Sequence, residues 1–380
     1  MHPGKVKPTP TILISANSLF NIVNFRAGLV RGIAAEGFRP ILVAPLDPAF
    51  EPLTTLNAET IAVRIDRSGI NPLIDAALLL AYWQLCRRKR PAAYLGFTIK
   101  PNIYGALAAR AAGVPSILNV SGLGTAFLSS GLFAWFISHL YRVAFNRAAT
   151  VFFQNPDDRD LFLTRKIVRP EQVRLLPGSG IDLDRFRPIE VDPGAEPVFL
   201  FIGRLIADKG VREFVEAAGQ VRQTHPGARF QLLGAIDPGN RTSVTPTELE
   251  RWVRLGTVEH LGQMDDVRPA IAAASAVVLP SYREGLPRSL LEGGAMGRPL
   301  IATDVPGNRE LVEEGLTGMS CRPRDASSLA EAVRRFLDLE AVGRRALGQA
   351  ALERVRGRFG ERKVIDAYLG ALKPYRTSTG

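Results

Sequence analysis

The sequence predicts an α/β protein made of two doubly wound, mainly parallel sheets. Three observations carry that expectation. The chain has 380 residues, more than one hydrophobic core usually organises. Its first half alternates strand-like and helix-like segments, and the same alternation restarts after a break at 188–197 (PIEVDPGAEP). Short apolar runs separated by helical stretches call for crossover helices covering both faces of a sheet.

In the first half, short apolar runs at 11–16, 40–44, 60–65, 93–96, 116–120, 150–154 and 173–176 read as strands. A Ser/Asn-rich turn follows the first, and a helix is expected over about 25–36. The break at 188–197 is rich in Pro and acidic residues and has no apolar period, so it reads as a linker. Beyond it, strands are expected at 198–202, 229–233, 258–261, 276–279, 300–303 and 318–321, with a helix at 211–223 and helices dominating from 327 to about 372. The expected organisation is a first domain over 1–187, the linker, a second domain over 198–360 and a C-terminal helix and tail over 361–380. The domains are expected to face each other across a cleft, with ligands at the carboxyl ends of the strands.

Hydrophobic residues make up 46% and charged residues 22%, an ordinary soluble balance. The two cysteines, Cys86 and Cys321, lie far apart without metal-ligand spacing, which favours a reduced, cytoplasmic setting. The opening residues are polar and Pro-rich, and 11–16 is too short for a secretion-signal core. Charge is uneven: residues 1–190 hold 22 Lys/Arg against 13 Asp/Glu, and residues 191–380 hold 26 against 24. A basic half attracts nucleic acid, an anionic membrane surface or a phosphorylated substrate. No nucleic-acid module is visible, which leaves membrane surface or phosphate.

Residues 111–141 contain no Asp, Glu, Lys or Arg, and 127–141 (FLSSGLFAWFISHLY) is strongly apolar, followed by Arg142 and Arg147. Its dense part is shorter than the roughly 20 residues a spanning helix needs. It reads either as a helix lying in the headgroup plane or as a buried helix of the first domain. The run Arg87, Arg88, Lys89, Arg90 likewise reads as a membrane contact or as a solvated helix end favoured by the dipole.

Two motifs carry chemistry. After the first strand of the second half stands Gly203-Arg204-Leu205-Ile206-Ala207-Asp208-Lys209-Gly210. Two cations on a glycine-bounded loop entering a helix suit a diphosphate: Arg204 grips with parallel hydrogen bonds and Lys209 supplies a point charge. Free N–H groups at the helix start add to this. The second motif, Glu284-Gly285-Leu286-Pro287-Arg288-Ser289-Leu290-Leu291-Glu292, follows the strand at 276–279. Glu284 in the loop suits sugar hydroxyls, Gly285 and Leu286 offer backbone N–H groups, and Glu292 within the next helix suits a ribose diol.

This set resembles the family-4 retaining glycosyltransferases of the GT-B fold, marked by an Arg and a Lys on one loop and two glutamates separated by seven residues. The resemblance spans about 11–372. It implies two Rossmann-like domains, with the C-terminal helix crossing back to the first. It implies that Arg204 and Lys209 bind the donor diphosphate and stabilise the leaving nucleotide, that Glu284 contacts the donor hexose, and that Glu292 contacts the ribose. Arg204, Lys209 and Glu284 form the expected catalytic set, and Gly203, Gly285, Leu286 and Glu292 join them in donor binding. It implies no metal and no cofactor beyond the nucleotide sugar, and a front-face substitution in which the leaving phosphate helps deprotonate the acceptor hydroxyl.

In the first half, Asn24-Phe25-Arg26, Ser68-Gly69-Ile70-Asn71-Pro72, Lys100-Pro101-Asn102-Ile103-Tyr104-Gly105 and the run 120–127 are similar to one bacterial branch. That branch adds a hexose or N-acetylhexosamine to polyprenyl-diphosphate-linked sugars, and includes the N-acetylgalactosaminyltransferase for undecaprenyl-diphospho-bacillosamine. It implies a UDP-linked donor, a lipid-borne acceptor and a peripheral place on the cytoplasmic membrane face. Asn24, Arg26, Lys100, Asn102, Ser121 and Gly122 are the expected acceptor-binding residues. Two departures stand out. Gly96-Phe97-Thr98-Ile99-Lys100 has no histidine where many family members carry one, and Asn17-Ser18-Leu19-Phe20-Asn21 lacks a Gly pair. A family-4 enzyme with a soluble acceptor, a sugar-nucleotide epimerase and an inactive carbohydrate-binding homologue are the alternatives.

Overall fold

The computed structural model describes residues 9–45, 56, 58–66, 71–123, 132–189 and 196–376, with the backbone alone over 132–136. Most of the linker at 188–197, the Ser68–Ile70 part of one acceptor motif, Gly124–Phe127 of another, and the side chains of Phe133, Trp135 and Phe136 lie outside the described residues. The chain forms two compact units. One takes the residues up to Gly180 together with the segment from Glu361, and the other takes Ile181–Gly360.

In the first unit, seven parallel strands lie in the order β3-β2-β1-β4-β5-β6-β7. They are β1 (Thr11–Ser15), β2 (Arg39–Ala44), β3 (Glu59–Ala62), β4 (Ala93–Phe97), β5 (Ser116–Val120), β6 (Thr150–Phe153) and β7 (Val173–Leu175). The connecting helices are α1 (Leu19–Ala35), α2 (Pro72–Lys89), α3 (Ala106–Ala111), α4 (Leu132–Phe145) and α5 (Pro156–Thr164). Alternate strand residues feed two half-cores. Leu13, Ile41 and Val43 join the layer of α2, α3 and α4, whereas Ile12, Ile14 and Leu42 join α1 on the opposite face.

The helix expected from about residue 25 begins six residues earlier. The Ser18 side chain accepts the Asn21 N–H at 3.2 Å, so what reads as a polar turn is the N-cap and first turn of α1. The third strand is shorter than the apolar run suggests, ending at Ala62 where its pairing with β2 stops. In α2, Asn71 caps Leu73 N–H at 3.0 Å with Pro72 in the first helical position.

Between β4 and α3, Pro101–Gly105 makes a wide, π-type turn. Its cause is local. The fully buried Tyr94 donates its hydroxyl to the Pro101 carbonyl at 2.8 Å, an acceptor that a regular α-turn would give to the Gly105 N–H. Glycine at 105 leaves room for that ring.

The second unit holds six parallel strands in the order β10-β9-β8-β11-β12-β13. They are β8 (Val198–Ile202), β9 (Arg229–Leu233), β10 (Glu259–His260), β11 (Ala276–Leu279), β12 (Leu300–Thr303) and β13 (Gly318–Cys321). Its helices are α6 (Val211–Arg222), α7 (Pro246–Arg254), α8 (Arg268–Ala273), α9 (Arg288–Ala295), α10 (Ala326–Leu337) and α11 (Ala341–Arg358). The chain then returns to the first unit as α12 (Glu361–Leu372), whose Val364, Ile365, Tyr368 and Leu372 pack into the half-core of α1.

The Tyr94–Gly105 fit is testable. A β-carbon at Gly105 would lie 1.8 Å from the Tyr94 hydroxyl oxygen. Gly105→Ala should therefore destabilise the first unit by about 1–3 kcal/mol, the usual cost of overpacking. Adding Tyr94→Phe should recover part of that loss. Thermal unfolding followed by circular dichroism reads both, and simple additivity of the two changes would refute the proposed contact.

Candidate active site

Strand order reverses between β1 and β4 in the first unit and between β8 and β11 in the second. At each reversal the two neighbouring strands send their connections to opposite faces, so a crevice opens at their carboxyl ends. Both chemistry-bearing motifs of the second unit leave the sheet at its reversal.

From β8 the chain enters Gly203, whose N–H donates to Leu233 at 3.0 Å. Leu205 N–H to Ala235 and Ala207 N–H to Thr242, at 3.0 and 2.9 Å, stitch this loop to the one after β9. Arg204 keeps its guanidinium largely in solvent and pairs with Asp237 at 2.7 Å. A short 3-10 turn over Ala207–Lys209 precedes Gly210, whose φ of 73° is left-handed. Glycine is required there, because a β-carbon would fall 2.0 Å from the Pro280 carbonyl oxygen. That close approach seats the Lys209 turn directly on the end of β11.

The loop after β11 is fixed from below. Asn308, fully buried, donates to the Thr303 carbonyl at 3.0 Å, and the Thr303 hydroxyl donates to the Ser281 carbonyl at 2.5 Å. Tyr282 N–H donates to Asp208 at 2.9 Å, and the Tyr282 hydroxyl donates to Glu213 at 2.5 Å. These contacts bring Lys209 and Glu284 together: Nζ lies 2.6 Å from Oε1, with the two side chains 26% and 10% exposed. A cation and a carboxylate 75 positions apart in sequence thus form one half-buried pair. Gly285 passes close under Gly307, and Leu286 is buried. Glu292, one turn into α9, is paired with Arg288 at 2.9 Å. Burial raises the Glu292 carboxyl above its ordinary value, and the Arg288 charge opposes that rise.

In the first unit, the expected acceptor residues meet different fates. Lys100 pairs with Asp75 at 2.6 Å, and the Tyr104 hydroxyl donates to the other oxygen of the same carboxylate at 2.9 Å. Asn102 is buried and donates its amide to the Asn119 carbonyl at 2.8 Å. Arg26 is also buried, lying over the Phe97 ring at 4.1 Å and donating to the Asn21 carbonyl at 3.1 Å. Both side chains thus lie inside the unit, and the Asn102 Oδ1 is buried without a hydrogen-bond partner among the described residues. Asn24, Ser121 and Gly122 remain partly open, with the Asn24 amide donating to Phe20 at 3.2 Å. Thr98, where the histidine is missing, has a left-handed φ of 69° and accepts the Asn17 N–H on its hydroxyl at 3.1 Å. Left-handed backbone is uncommon for a β-branched residue and marks strain.

Sequence reasoning missed Asp237, Asp75 and the Ser281–Thr303–Asn308 set. Asp75 left a usable signal: it is the lone acid in 71–86, and a solitary carboxylate in an apolar helix needs a buried partner. The others become partners only once strands pair. Burial pushes the Cys86 and Cys321 thiols up to about 12, so neither is a thiolate near neutral pH. Among the described residues no group of three or more His, Cys, Asp or Glu gathers as for a metal ion.

Glu292 supplies a pH test. A carboxyl whose folded value is raised contributes most stability below its unfolded value near 4.5, and that contribution is lost as pH rises through the folded value. The parent should therefore lose a component of thermal stability as pH rises above about 4.5, and Glu292→Gln should flatten it. Melting temperatures across that range, with carboxyl NMR of labelled glutamate, read the effect. An unshifted Glu292 titration would contradict it.

Residues 22–178 match the Glycosyl transferase 4-like domain and residues 196–338 the Glycosyl transferases group 1 family. The chain is 25% identical over 339 residues to the N,N'-diacetylbacillosaminyl-diphospho-undecaprenol alpha-1,3-N-acetylgalactosaminyltransferase of Campylobacter jejuni, covering 85% of this chain and 88% of that one. It is 26% identical over 287 residues to the Escherichia coli UDP-Gal:alpha-D-GlcNAc-diphosphoundecaprenol alpha-1,3-galactosyltransferase, covering 71% and 72%. Among solved structures it resembles Anabaena Alr3699/HepE in complex with UDP and glucose, with a TM-score of 0.78 and 20% identity over 96% of this chain and 100% of that one. With both halves matched and two parallel-sheet units observed, the chain belongs to the GT-B glycosyltransferases that join a 4-like domain to a group 1 domain.

Proposed function

We propose that the protein is a retaining, metal-independent glycosyltransferase that moves a hexose or N-acetylhexosamine from a UDP-linked donor to a polyprenyl-diphosphate-linked saccharide. The observation that carries this reading is the Lys209–Glu284 pair at the strand reversal of the second unit, with Arg204 on the same loop. Two cations on a turn that opens a helix suit a diphosphate. The paired carboxylate is a ready acceptor for sugar hydroxyls, and Glu292 beside Arg288 suits the ribose diol. A donor diphosphate entering here would draw Lys209 away from Glu284 and release that carboxylate to the hexose. The bond between the anomeric carbon and the diphosphate oxygen breaks, and negative charge grows on phosphate facing Arg204 and Lys209, the kind of fixed stabilisation that accelerates most. The acceptor hydroxyl oxygen bonds the same carbon on the same face, and its proton passes to the departing phosphate.

We assign the donor to the second unit and the acceptor to the first. There Asn24, Ser121 and Gly122 would touch the acceptor, the Lys100–Asp75 pair would meet its phosphate side, and Arg26 and Asn102 would shape the walls. The two undecaprenol-linked relatives and the basic first half support a lipid-borne acceptor and a peripheral place at the cytoplasmic membrane face.

Arg204→Ala and Lys209→Ala should each lower turnover by about tenfold to a thousandfold, the range seen when transition-state donors are removed. Assays with UDP-sugars and extracted polyprenyl-diphosphate saccharides, read by product mass, test this. Parent-like rates in both folded variants would refute the diphosphate assignment, and transfer only to soluble sugars would refute the lipid acceptor.

The two glutamates should separate. Glu284→Gln is expected to reduce transfer while leaving UDP affinity nearly intact, whereas Glu292→Ala weakens UDP itself through loss of a charged acceptor. Calorimetry with UDP would give the reverse ranking if the roles are exchanged.

A further inference from the structure

α2 has two unlike faces. Its inner face, Asp75, Leu78, Tyr82, Leu85 and Cys86, is buried, and Tyr82 shares a 2.7 Å hydrogen bond with Ser15 of β1. At 100° per residue the opposite side carries Leu73, Ala76, Ala77, Leu80, Trp83 and Gln84. Leu73 is 80% exposed, Leu80 52% and Trp83 38%. A surface helix of a soluble protein normally turns charge outward there. Over the first three turns this one turns out no charge at all.

The charge comes at the end. Arg87, Arg88, Lys89 and Arg90 are all exposed, and the Arg87 guanidinium lies 5.9 Å from the Trp83 ring. Across 71–150 the chain has eight Lys/Arg and a single acid, Asp75, which is buried against Lys100 and Tyr104. So α2, α3 and α4, which form one helical layer, carry no solvent-facing carboxylate.

We infer that the outer face of α2 docks on an anionic lipid bilayer, lying in its headgroup plane. An apolar stripe about 15 Å long with a tryptophan at its basic end fits lipid chains below and anionic headgroups beside; Glu59 of β3 pairs with Lys89 at 2.5 Å, and Arg87, Arg88 and Arg90 carry the remaining positive charge of that end. A protein partner would find only cations on this layer with which to specify pairing. The stripe also begins beside Asp75, the residue that holds Lys100, so docking would bring the bilayer to the loop assigned to the acceptor. The choice of lipid as partner rests on the proposed lipid-borne acceptor; the surface itself does not.

Vesicle flotation of the full chain tests this. The parent should float with vesicles of phosphatidylglycerol mixed into phosphatidylcholine, less with phosphatidylcholine alone, and less as salt rises. Trp83 emission should shift to the blue, and Trp83→Phe should remove that shift. The triple variant Leu73→Ser, Leu80→Ser, Trp83→Ser should partition at least about tenfold more weakly, with parental melting temperature and parental turnover on a short-chain acceptor in solution. A triple variant that floats like the parent, or a parent that ignores anionic vesicles, overturns the inference. So does a parent that forms dimers which the triple variant abolishes without any vesicle binding. If flotation behaves as expected but no polyprenyl-diphosphate sugar is glycosylated, the acceptor reading fails while the docking face stands. Transfer to the lipid acceptor with flotation independent of α2 overturns the docking face and leaves the acceptor reading standing.

Discussion

Parallel pairing constrains this protein more than any single contact. A parallel strand cannot follow its neighbour through a tight turn, so each connection must run back along the sheet, mostly as a helix and between β12 and β13 as a loop, and every strand ends on the same edge. Where the winding direction reverses, two such ends part and leave room above the sheet. Lys209 and Glu284, distant in sequence, meet because β8 and β11 are adjacent at that reversal. The fully buried Asn308 and the missing side chain of Gly210 are the local means by which the two loops hold their places.

The electrostatics follow from that placement. Lys209 with Glu284, Arg204 with Asp237, Arg288 with Glu292 and Lys100 with Asp75 each set a cation against a carboxylate. A half-buried ion cannot stand alone without heavy cost. In the reaction proposed above the Lys209–Glu284 pair would exchange: the donor phosphate would replace the carboxylate on the cation, and a sugar hydroxyl would take up the freed carboxylate. Glu292 is the extreme case, buried deeply enough that its proton is held more tightly than on an ordinary glutamate.

Much of this was legible in the sequence, for identifiable reasons. Strands buried on both faces read as short, mainly apolar runs bounded by turn residues, so β5, β8, β9, β11, β12 and β13 could be placed to the residue. The start of α1 could not, because serine and asparagine serve turns and N-caps alike, and only the Ser18–Asn21 hydrogen bond decides between them. Motif spacing pointed to Arg204, Lys209, Glu284 and Glu292, but their partners were invisible: Asp237 stands one strand away and Arg288 reads as an ordinary helical residue. Asn102 and Arg26 show what a motif alone cannot tell: both side chains are buried, Asn102 with its amide on the Asn119 carbonyl and Arg26 over the Phe97 ring.

The return of α12 has a consequence for how the protein is made. The first unit is not a continuous stretch of chain: Val364, Ile365, Tyr368 and Leu372, which fill the half-core beside α1, are translated only after the whole of the second unit. During synthesis the second unit, continuous from Ile181 to Gly360, can close as soon as it emerges. The first emerges earlier yet must wait with Ile22, Leu29 and Ile33 of α1 uncovered. The segment made first is therefore the one finished last, and it is this half-core, facing away from α2, that a chaperone would have to shelter in the interval.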